Sequence, residues 1–340
     1  SVKSRGLGDV YKRQDITNPG GTFIFAFGGL TLIILMSAIS ALLWHLRVIP
    51  LIVNALSVLF KKPLGVGGPI GLGATANVFL GQVEAPLLIK PYLSSMTRHE
   101  LLIIMTVGMS TIAGSVMVVY TTMLFPIYGS GLIGHFLSAS LISVPAAIMY
   151  ANMMIPSNEK TDFPDEKSDD MYSSIMDAIT QGTKNGLDIF LNVIAMLIVV
   201  MALVFLVNSI LGLLPNLNGN PITLELMLGY LFAPLAWFMG IPWNESIMAG
   251  QLLGVKTALN EFVAYLYLSD TETYQLGDKS RMIMLYALCG FANFSSVGIL
   301  LSGLSAMVPE RRAELISVSG KALWCALLAS CLTGFIIGII

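Results

Sequence analysis

The chain has 340 residues, of which 55% are hydrophobic and 11% charged, and its mean hydropathy is +0.79. A soluble domain would carry about 25% charged residues, so the composition excludes an ordinary soluble protein. Apolar stretches of membrane-spanning length recur along the chain, and the short alternating segments of an outer-membrane barrel are absent. We therefore predict an all-α polytopic membrane protein in contact with the lipid bilayer. The net charge of −2 says nothing about partners, and no nucleic-acid partner is expected.

Six apolar stretches read as clearly delimited spans, at residues 23–44, 101–124, 132–155, 187–214, 282–307 and 322–340. Residues 1–14 are basic and lack the apolar core of a signal peptide. We expect them to be a non-native tail on a truncated gene, and we exclude them from the fold. The polar, acidic stretch at 156–170 is predicted to be a loop in solvent.

Two further apolar regions, residues 48–92 and 222–268, carry Pro, Gly, Asn and Glu in mid-segment and do not read as simple spans. Each half of the chain then has the same order: a span, an amphipathic segment, an interrupted segment, and a span with a polar centre, at 108–115 or 289–296. If each interrupted segment enters and leaves the membrane on one side, the two halves run in opposite directions. This order predicts inverted-topology repeats with two re-entrant helical hairpins and two interrupted transmembrane helices.

The predicted organisation has five parts: a tail at 1–14, a first repeat at 15–126, a connecting span and acidic cytoplasmic loop at 127–186, a second repeat at 187–308, and a cytoplasmic turn with the last span at 309–340. With Lys61 and Lys62 in the cytoplasm, eleven basic residues fall inside and two, Lys279 and Arg281, fall outside. Because basic residues concentrate on the cytoplasmic side, we predict a multi-pass protein of the inner (cytoplasmic) membrane with its C-terminus outside.

Polar residues in the interrupted segments indicate one shared site. Ionisable groups at membrane depth are costly and suggest function, and irregular backbone there must line protein or a wet cavity. Glu261 can accept hydrogen bonds from vicinal hydroxyls, and Asn293 and Ser296 can add to that contact. Gln82 and Glu84 offer donors and acceptors suited to the edge of a polar ring. With no arginine nearby, the set favours a neutral, hydroxyl-rich, partly apolar solute over an anion. Helix N-termini can bind anions without an arginine, so an anionic solute stays open as the alternative.

Structural roles for these residues are the alternative. Glu84 and Glu261 can each pair with a lysine, for which Lys256 is a candidate, or bond to hairpin backbone. Asn293 and Ser296 can hold helices together, as polar residues often do in membranes.

A cation site can also be argued from the first interrupted segment. Na⁺ prefers oxygen ligands, which the Asn77 side chain and the Thr111 hydroxyl supply, and carbonyl groups near Leu80 and Ile112 can complete the set. Asn and Thr are also common in helix packing, so the residues alone leave this open.

Four long motifs in order resemble the concentrative nucleoside transporters, from about residue 20 to the C-terminus. They are "ANVFLGQVEAPLLIKPY", "MTRHELLIIMTVGMSTIAGSV", "GIPWNESIMAGQLLGVKTALNEFVAY" and "ALCGFANFSSVGI". The resemblance implies a Na⁺-coupled nucleoside symporter of the uridine and adenosine class, a homotrimer and not an enzyme, in which a transport domain moves like an elevator against a scaffold.

The resemblance also implies roles for residues at matching motif positions. The substrate residues would be Gln82 and Glu84 on the nucleobase with Val83 between them, Val116 packed on the base, Phe291 lining the pocket, and Glu261, Asn293 and Ser296 on the ribose. The sodium residues would be Asn77, Leu80, Thr111 and Ile112. Proton-driven relatives tend to lack the asparagine, so Asn77 favours sodium.

The family motif usually reads Gly-Gln-Thr-Glu, whereas this chain has valine at position 83. Valine is nearly isosteric with threonine but loses a hydroxyl, at a cost of about 1 kcal/mol for one hydrogen bond. This change leaves the base preference open. The alternative functions are a proton-coupled nucleoside or nucleobase transporter, and a gated channel or receptor on the same scaffold.

Overall fold

A computed structural model describes residues 31–53, 55–56, 68–157, 161, 171–215 and 221–340. The predicted tail at 1–14, the start of the first predicted span, Lys61 and Lys62, and most of the predicted acidic loop lie outside these ranges.

Helices account for most of the described residues, among which no strand occurs. In chain order they are α1 (Leu32–His45), α2 (Gly68–Ala76), α3 (Glu84–Leu87), α4 (Lys90–Leu93), α5 (Arg98–Ser110), α6 (Gly114–Tyr128), α7 (Leu132–Met154), α8 (Ile175–Leu211), α9 (Leu224–Phe238), α10 (Trp243–Ala258), α11 (Glu261–Ser269), α12 (Asp278–Ala287), α13 (Phe294–Met307) and α14 (Arg312–Ile339), with a 3₁₀ turn at Pro309–Arg311 before α14. The all-helical prediction is confirmed for this part of the chain.

Three helical stretches in the described part are long and apolar enough to cross a membrane: Arg98–Tyr128, Leu132–Met154 and Pro309–Ile339. Helices α9 and α10 are long and apolar enough only when taken together, and their 117° bend makes the pair either a broken span or a re-entrant loop. The predicted spans at 101–124, 132–155 and 322–340 match the three long stretches, and the second and third end one residue beyond them.

The predicted span at 187–214 lies in a helix that begins much earlier. Helix α8 starts at Ile175, where the Ser174 hydroxyl accepts from the backbone N–H of Asp177 and caps the first turn. The predicted boundary between residues 186 and 187 therefore falls inside one continuous helix. Hydropathy located the apolar part of α8 and missed its polar first turns.

The first interrupted helix, α5 with α6, forms the centre of the molecule. A capping box starts it, in which the Thr97 hydroxyl accepts from the Glu100 N–H and the Glu100 carboxylate accepts from the Thr97 N–H. Every residue of α5 after Arg98 is buried, and α5 packs against α7 and α14. A helix that is apolar on all sides belongs in the interior, which is where α5 lies.

Helices α1 and α8 form a wall beside this centre. Gly182 and Gly186 lie one turn apart on α8. A Cβ atom added to Gly182 would lie 2.8 Å from Cα of Ala38, and one added to Gly186 would lie 2.6 Å from Cα of Ile34. Small residues at this spacing let two helix backbones approach closely. Because this glycine face is turned to α1, the neighbouring polar face of α8 is left to line the space between the wall and the centre.

The two helix interruptions meet in the interior. Helix α5 ends at Ser110, α12 ends at Ala287, and the Phe291 N–H donates to the carbonyl oxygen of Thr111 at 3.3 Å. Gly290 has a φ of +153°, and a Cβ there would lie 2.7 Å from the Ser110 carbonyl oxygen. Only glycine fits such a contact without strain, so this residue lets the two breaks come together.

Candidate functional site

One cavity of about 880 Å³ lies where the interrupted segments converge. Its lining comes from the α2–α3 loop, α6, the α10–α11 junction, the α12–α13 break, and the facing wall of α1 and α8. The structure brings all eight residues proposed for the solute into this lining: Gln82, Val83, Glu84, Val116, Glu261, Phe291, Asn293 and Ser296.

Glu261 is the most firmly held group in the cavity. It begins α11 and is only 6% exposed. Its Oε1 accepts from the Tyr120 hydroxyl and its Oε2 accepts from Nδ2 of Asn293, both at 2.8 Å. An ionised carboxylate has about four acceptor positions, so these two side-chain bonds leave acceptor capacity for a bound molecule. The carboxylate is therefore oriented before any solute arrives.

Asn293 owes its own position to helix α13. Its Oδ1 accepts from the Ser296 N–H at 2.7 Å, which caps the first turn of α13. The cap leaves Nδ2 for Glu261, so the start of one helix fixes the carboxylate on another. Both Asn293 and Ser296 are buried.

Gln82 and Glu84 are held more loosely. Glu84 begins α3, is half-buried, and accepts from the Gly81 N–H through Oε2 at 2.9 Å. Gln82 is 7% exposed, and its Oε1 has no hydrogen-bond partner within the described part of the chain. A buried acceptor without a partner costs about 1–3 kcal/mol, and a donor on a bound molecule would remove that cost.

The apolar side of the cavity includes Val83, Val116 and Phe291. Val83 packs over Gly303 of α13, where an added Cβ would lie 2.6 Å from Val83 Cγ1. The valine methyl groups therefore fill space that α13 leaves open, and they also reach the cavity.

The four residues proposed for the cation are buried: Asn77, Leu80, Thr111 and Ile112. The Thr111 hydroxyl donates to the Asn77 carbonyl oxygen at 3.1 Å and to Val107 at 3.2 Å. Asn77 Nδ2 donates to Gly73, whereas Asn77 Oδ1 has no partner among the described residues. The C-terminal ends of α2 and α5 meet here, and helix C-terminal ends favour cations. The oxygen donors and the unpaired Oδ1 fit a cation.

Lys256 does not pair with either glutamate. Its Nζ donates to the carbonyl oxygen of Ala287 at 2.8 Å and to the Ser330 hydroxyl at 2.7 Å. The hypothesis that Lys256 holds Glu261 through an ion pair is therefore wrong, because a helix end and a hydroxyl take up the ammonium group instead.

Sequence reasoning missed Tyr120 and three polar residues of α8: Asn185, Asp188 and Asn192. All four line the cavity. The α8 residues are spaced three and four apart, which places them on one helix face, and this spacing is the signal that was available. A single tyrosine in an apolar span carries no such signal, since it is typical of packing.

The described lining contains three carboxylates, on Glu84, Asp188 and Glu261, and no lysine or arginine. An anionic solute would therefore meet negative charge without a cation to bind it. Within a set of apolar helices, a cavity of polar acceptors beside an apolar face is typical of a membrane transporter for a neutral, polar molecule.

Comparison with known proteins agrees with that class. Residues 135–338 match a family model described as "Na+ dependent nucleoside transporter C-terminus", and residues 26–126 match one described as "Nucleoside recognition". The chain belongs to the family of Na⁺-dependent nucleoside transporters, which confirms the resemblance of its motifs.

Several relatives cover most of the chain. An uncharacterised transporter of Bacillus subtilis, YutK, is 39% identical over 325 residues, which are 94% of this chain and 78% of that protein. The nucleoside permease NupC of Helicobacter pylori is 36% identical, over 94% of this chain and 76% of its own. The solved structure of CNTnw in an inward-facing substrate-bound state is 35% identical with a TM-score of 0.85, over 94% and 76% of the two chains. These relatives are transporters and permeases, not enzymes.

Proposed function

We propose that this protein is a symporter of the cytoplasmic membrane that couples nucleoside uptake to the entry of Na⁺. The observation that carries the proposal is the arrangement of Glu261, which Tyr120 and Asn293 orient in a cavity whose described lining has no cationic side chain. Such a carboxylate suits the two vicinal hydroxyls of a ribose.

The cavity supplies a matching surface for each part of a nucleoside. The ribose hydroxyls bind Glu261 and Asn293, with Ser296 one turn further along α13. The nucleobase edge bonds to Gln82 and Glu84. The base faces pack on the apolar residues Val83, Val116 and Phe291.

Na⁺ is the second transported species and binds at the junction of α2 and α5. Asn77 and Thr111 offer side-chain oxygens there, and Leu80 and Ile112 offer carbonyl groups. When bound, the ion places a positive charge at two helix C-terminal ends. The loop at residues 77–84 carries both the ion residues and the base residues, so ordering of this loop by the ion favours nucleoside binding.

Transport follows alternating access with an elevator-like movement. The moving part consists of α2–α6 and α10–α13, and the scaffold includes the α1–α8 wall. Two inverted repeats with re-entrant hairpins, a homotrimer and an outward C-terminus complete the proposal. The proposal of alternating access is supported by the similarity to solved structures described as inward-facing, outward-facing and intermediate states of CNTnw.

Uptake into proteoliposomes tests the proposal. Labelled uridine and adenosine are offered with an inward Na⁺ gradient, with equal Na⁺ on both sides, and with an inward proton gradient in choline. Accumulation above the outside concentration under the Na⁺ gradient alone is the expected result. Equal uptake in all three conditions excludes coupling, uptake driven only by protons identifies the proton-coupled alternative, and uptake that never exceeds equilibration identifies a channel.

A further inference from the structure

The α10–α11 region holds a buried charge that the proposed function does not use. Lys256 lies in the last turn of α10, and its side chain is fully buried. Its ammonium group bonds to the Ala287 carbonyl and the Ser330 hydroxyl, and it forms no ion pair within the described part of the chain. A buried cation with only neutral hydrogen-bond partners is costly, so further compensation of its charge is expected.

Two helix ends and one carboxylate provide that compensation. Helix α10 ends at Ala258, and α12 ends at Ala287, whose carbonyl oxygen accepts from Lys256. Each helix C-terminus carries a partial negative charge. Glu261 begins the next helix three residues after α10 ends, so its carboxylate and Lys256 flank the same helix break. The ammonium group therefore lies among three sources of negative potential.

The junction of α2 and α5 has the same plan with neutral side chains. Helix α2 ends at Ala76 and α5 at Ser110, and the Thr111 hydroxyl joins the two by donating to the Asn77 carbonyl oxygen. Glu84 begins the helix that follows, as Glu261 does in the other half. Asn77 Oδ1 has no partner in the described ranges. This junction presents negative potential that its own side chains do not balance.

We propose that Lys256 is a built-in cation: its ammonium group balances two helix ends and Glu261 in the second half, as a bound Na⁺ balances two helix ends beside Glu84 in the first. This inference rests on the proposed function for its account of the first half. Lys256 does not line the cavity, so it acts as a positioning residue whose positive charge favours the ionised form of Glu261 over the neutral one. The second half then needs no ion of its own at this junction.

A double-mutant cycle tests the charge balance without relying on transport. Lys256→Met, Glu261→Gln and the double variant are purified in detergent, and their apparent Tm values are compared with that of the parent chain without nucleoside. Removing one of two buried opposite charges, even where they are not in direct contact, leaves the other less well compensated. The apparent Tm of each single variant is expected to fall by roughly 5 °C or more, and the double variant is expected to recover most of that loss.

Ser330→Ala is the control, because it removes one hydrogen bond and keeps the charge. Its smaller loss of Tm should add to that of Glu261→Gln.

Strictly additive losses for Lys256→Met and Glu261→Gln would overturn the proposal, because a purely structural lysine has the same effect in both backgrounds. No loss in Lys256→Met would overturn it as well. If Lys256→Met alone fails to give a monodisperse protein, recovery of one in the double variant supports the charge balance, and failure of both overturns it. Nucleoside uptake by the parent chain is measured separately, so failure of the proposed function is distinguished from failure of this inference.

Discussion

Glu84 and Glu261 each begin a short helix on the cavity, yet the structure holds them differently. Two side-chain hydrogen bonds, from Tyr120 and Asn293, orient Glu261, which is nearly inaccessible. Glu84 has one backbone bond, from Gly81, and is half-buried. A preorganised carboxylate suits a chemical group that every substrate shares, whereas a looser one suits a group that varies. This difference supports our proposal that Glu261 binds the ribose and Glu84 the base.

Glu261→Gln tests the rigid side of the comparison and should have the largest effect. The new amide oxygen can still accept from Asn293 while its N–H₂ group donates to the Tyr120 hydroxyl. The variant therefore keeps the packing of the site and loses the negative charge and one of the two acceptor oxygens that would bind the solute. We expect uptake to fall about 100-fold, corresponding to roughly 3 kcal/mol. Labelled nucleoside uptake in proteoliposomes measures this fall.

The control variant is Glu245→Gln. The Glu245 carboxylate accepts from the Gly277 N–H away from the cavity, so this variant should keep uptake within about twofold of the parent. Normal uptake in Glu261→Gln would end its role as the ribose anchor.

Asn77→Ala separates the ion from the substrate. Loss of the side-chain oxygen should raise the Na⁺ concentration for half-maximal uptake about 10-fold, which corresponds to roughly 1.4 kcal/mol of lost binding free energy. The nucleoside affinity at saturating Na⁺ should be largely kept. Thr75→Ala is the matched control, because Thr75 is also buried on α2 and, among the described residues, its hydroxyl bonds to Gly71 in its own helix. An unchanged Na⁺ activation curve in Asn77→Ala would remove Asn77 from the ion site.

Tyr120→Phe tests whether the orientation of Glu261 matters for affinity. The variant loses one hydrogen bond to a carboxylate, worth about 1.5 kcal/mol. Its ring still packs against Tyr265, with the two ring centroids 4.8 Å apart. Equilibrium binding should show about 10-fold weaker nucleoside affinity. Tyr128→Phe serves as the comparison, since its hydroxyl lies on the same helix and donates to the Arg281 carbonyl. Equal affinities for both variants would argue against preorganisation.

Val83→Thr probes the looser side and should have the smallest effect. Because Val83 packs over Gly303, the isosteric threonine keeps its shape and adds one hydroxyl near the base. A hydrogen bond of about 1 kcal/mol changes the relative inhibition of uridine uptake by different nucleosides up to roughly fivefold. A competition panel of purine and pyrimidine nucleosides measures the ratios. A uniform change for every nucleoside would contradict a role in base preference.

Much of the site could be predicted because glycine, asparagine and glutamate are conspicuous in apolar segments. The same logic overlooked Tyr120, since a tyrosine in an apolar span is typical of packing. It also missed Asn185, Asp188 and Asn192, because hydropathy located only the apolar part of α8. The alternative in which Lys256 pairs with a glutamate was wrong, since the sequence does not show that the end of α12 and Ser330 accept from the ammonium group.

The sequence by itself determined the class of the molecule, its helical segments, their interruptions and the polar residues at those interruptions. These follow from local chemistry, because a bilayer tolerates polar side chains and broken helices only where other protein or a cavity surrounds them. The tertiary structure decided which helix ends meet, that Tyr120 and Asn293 share Glu261, and that a carbonyl group and a hydroxyl hold Lys256. Those outcomes depend on contacts between residues far apart in the chain, and such contacts are set by how whole helices pack.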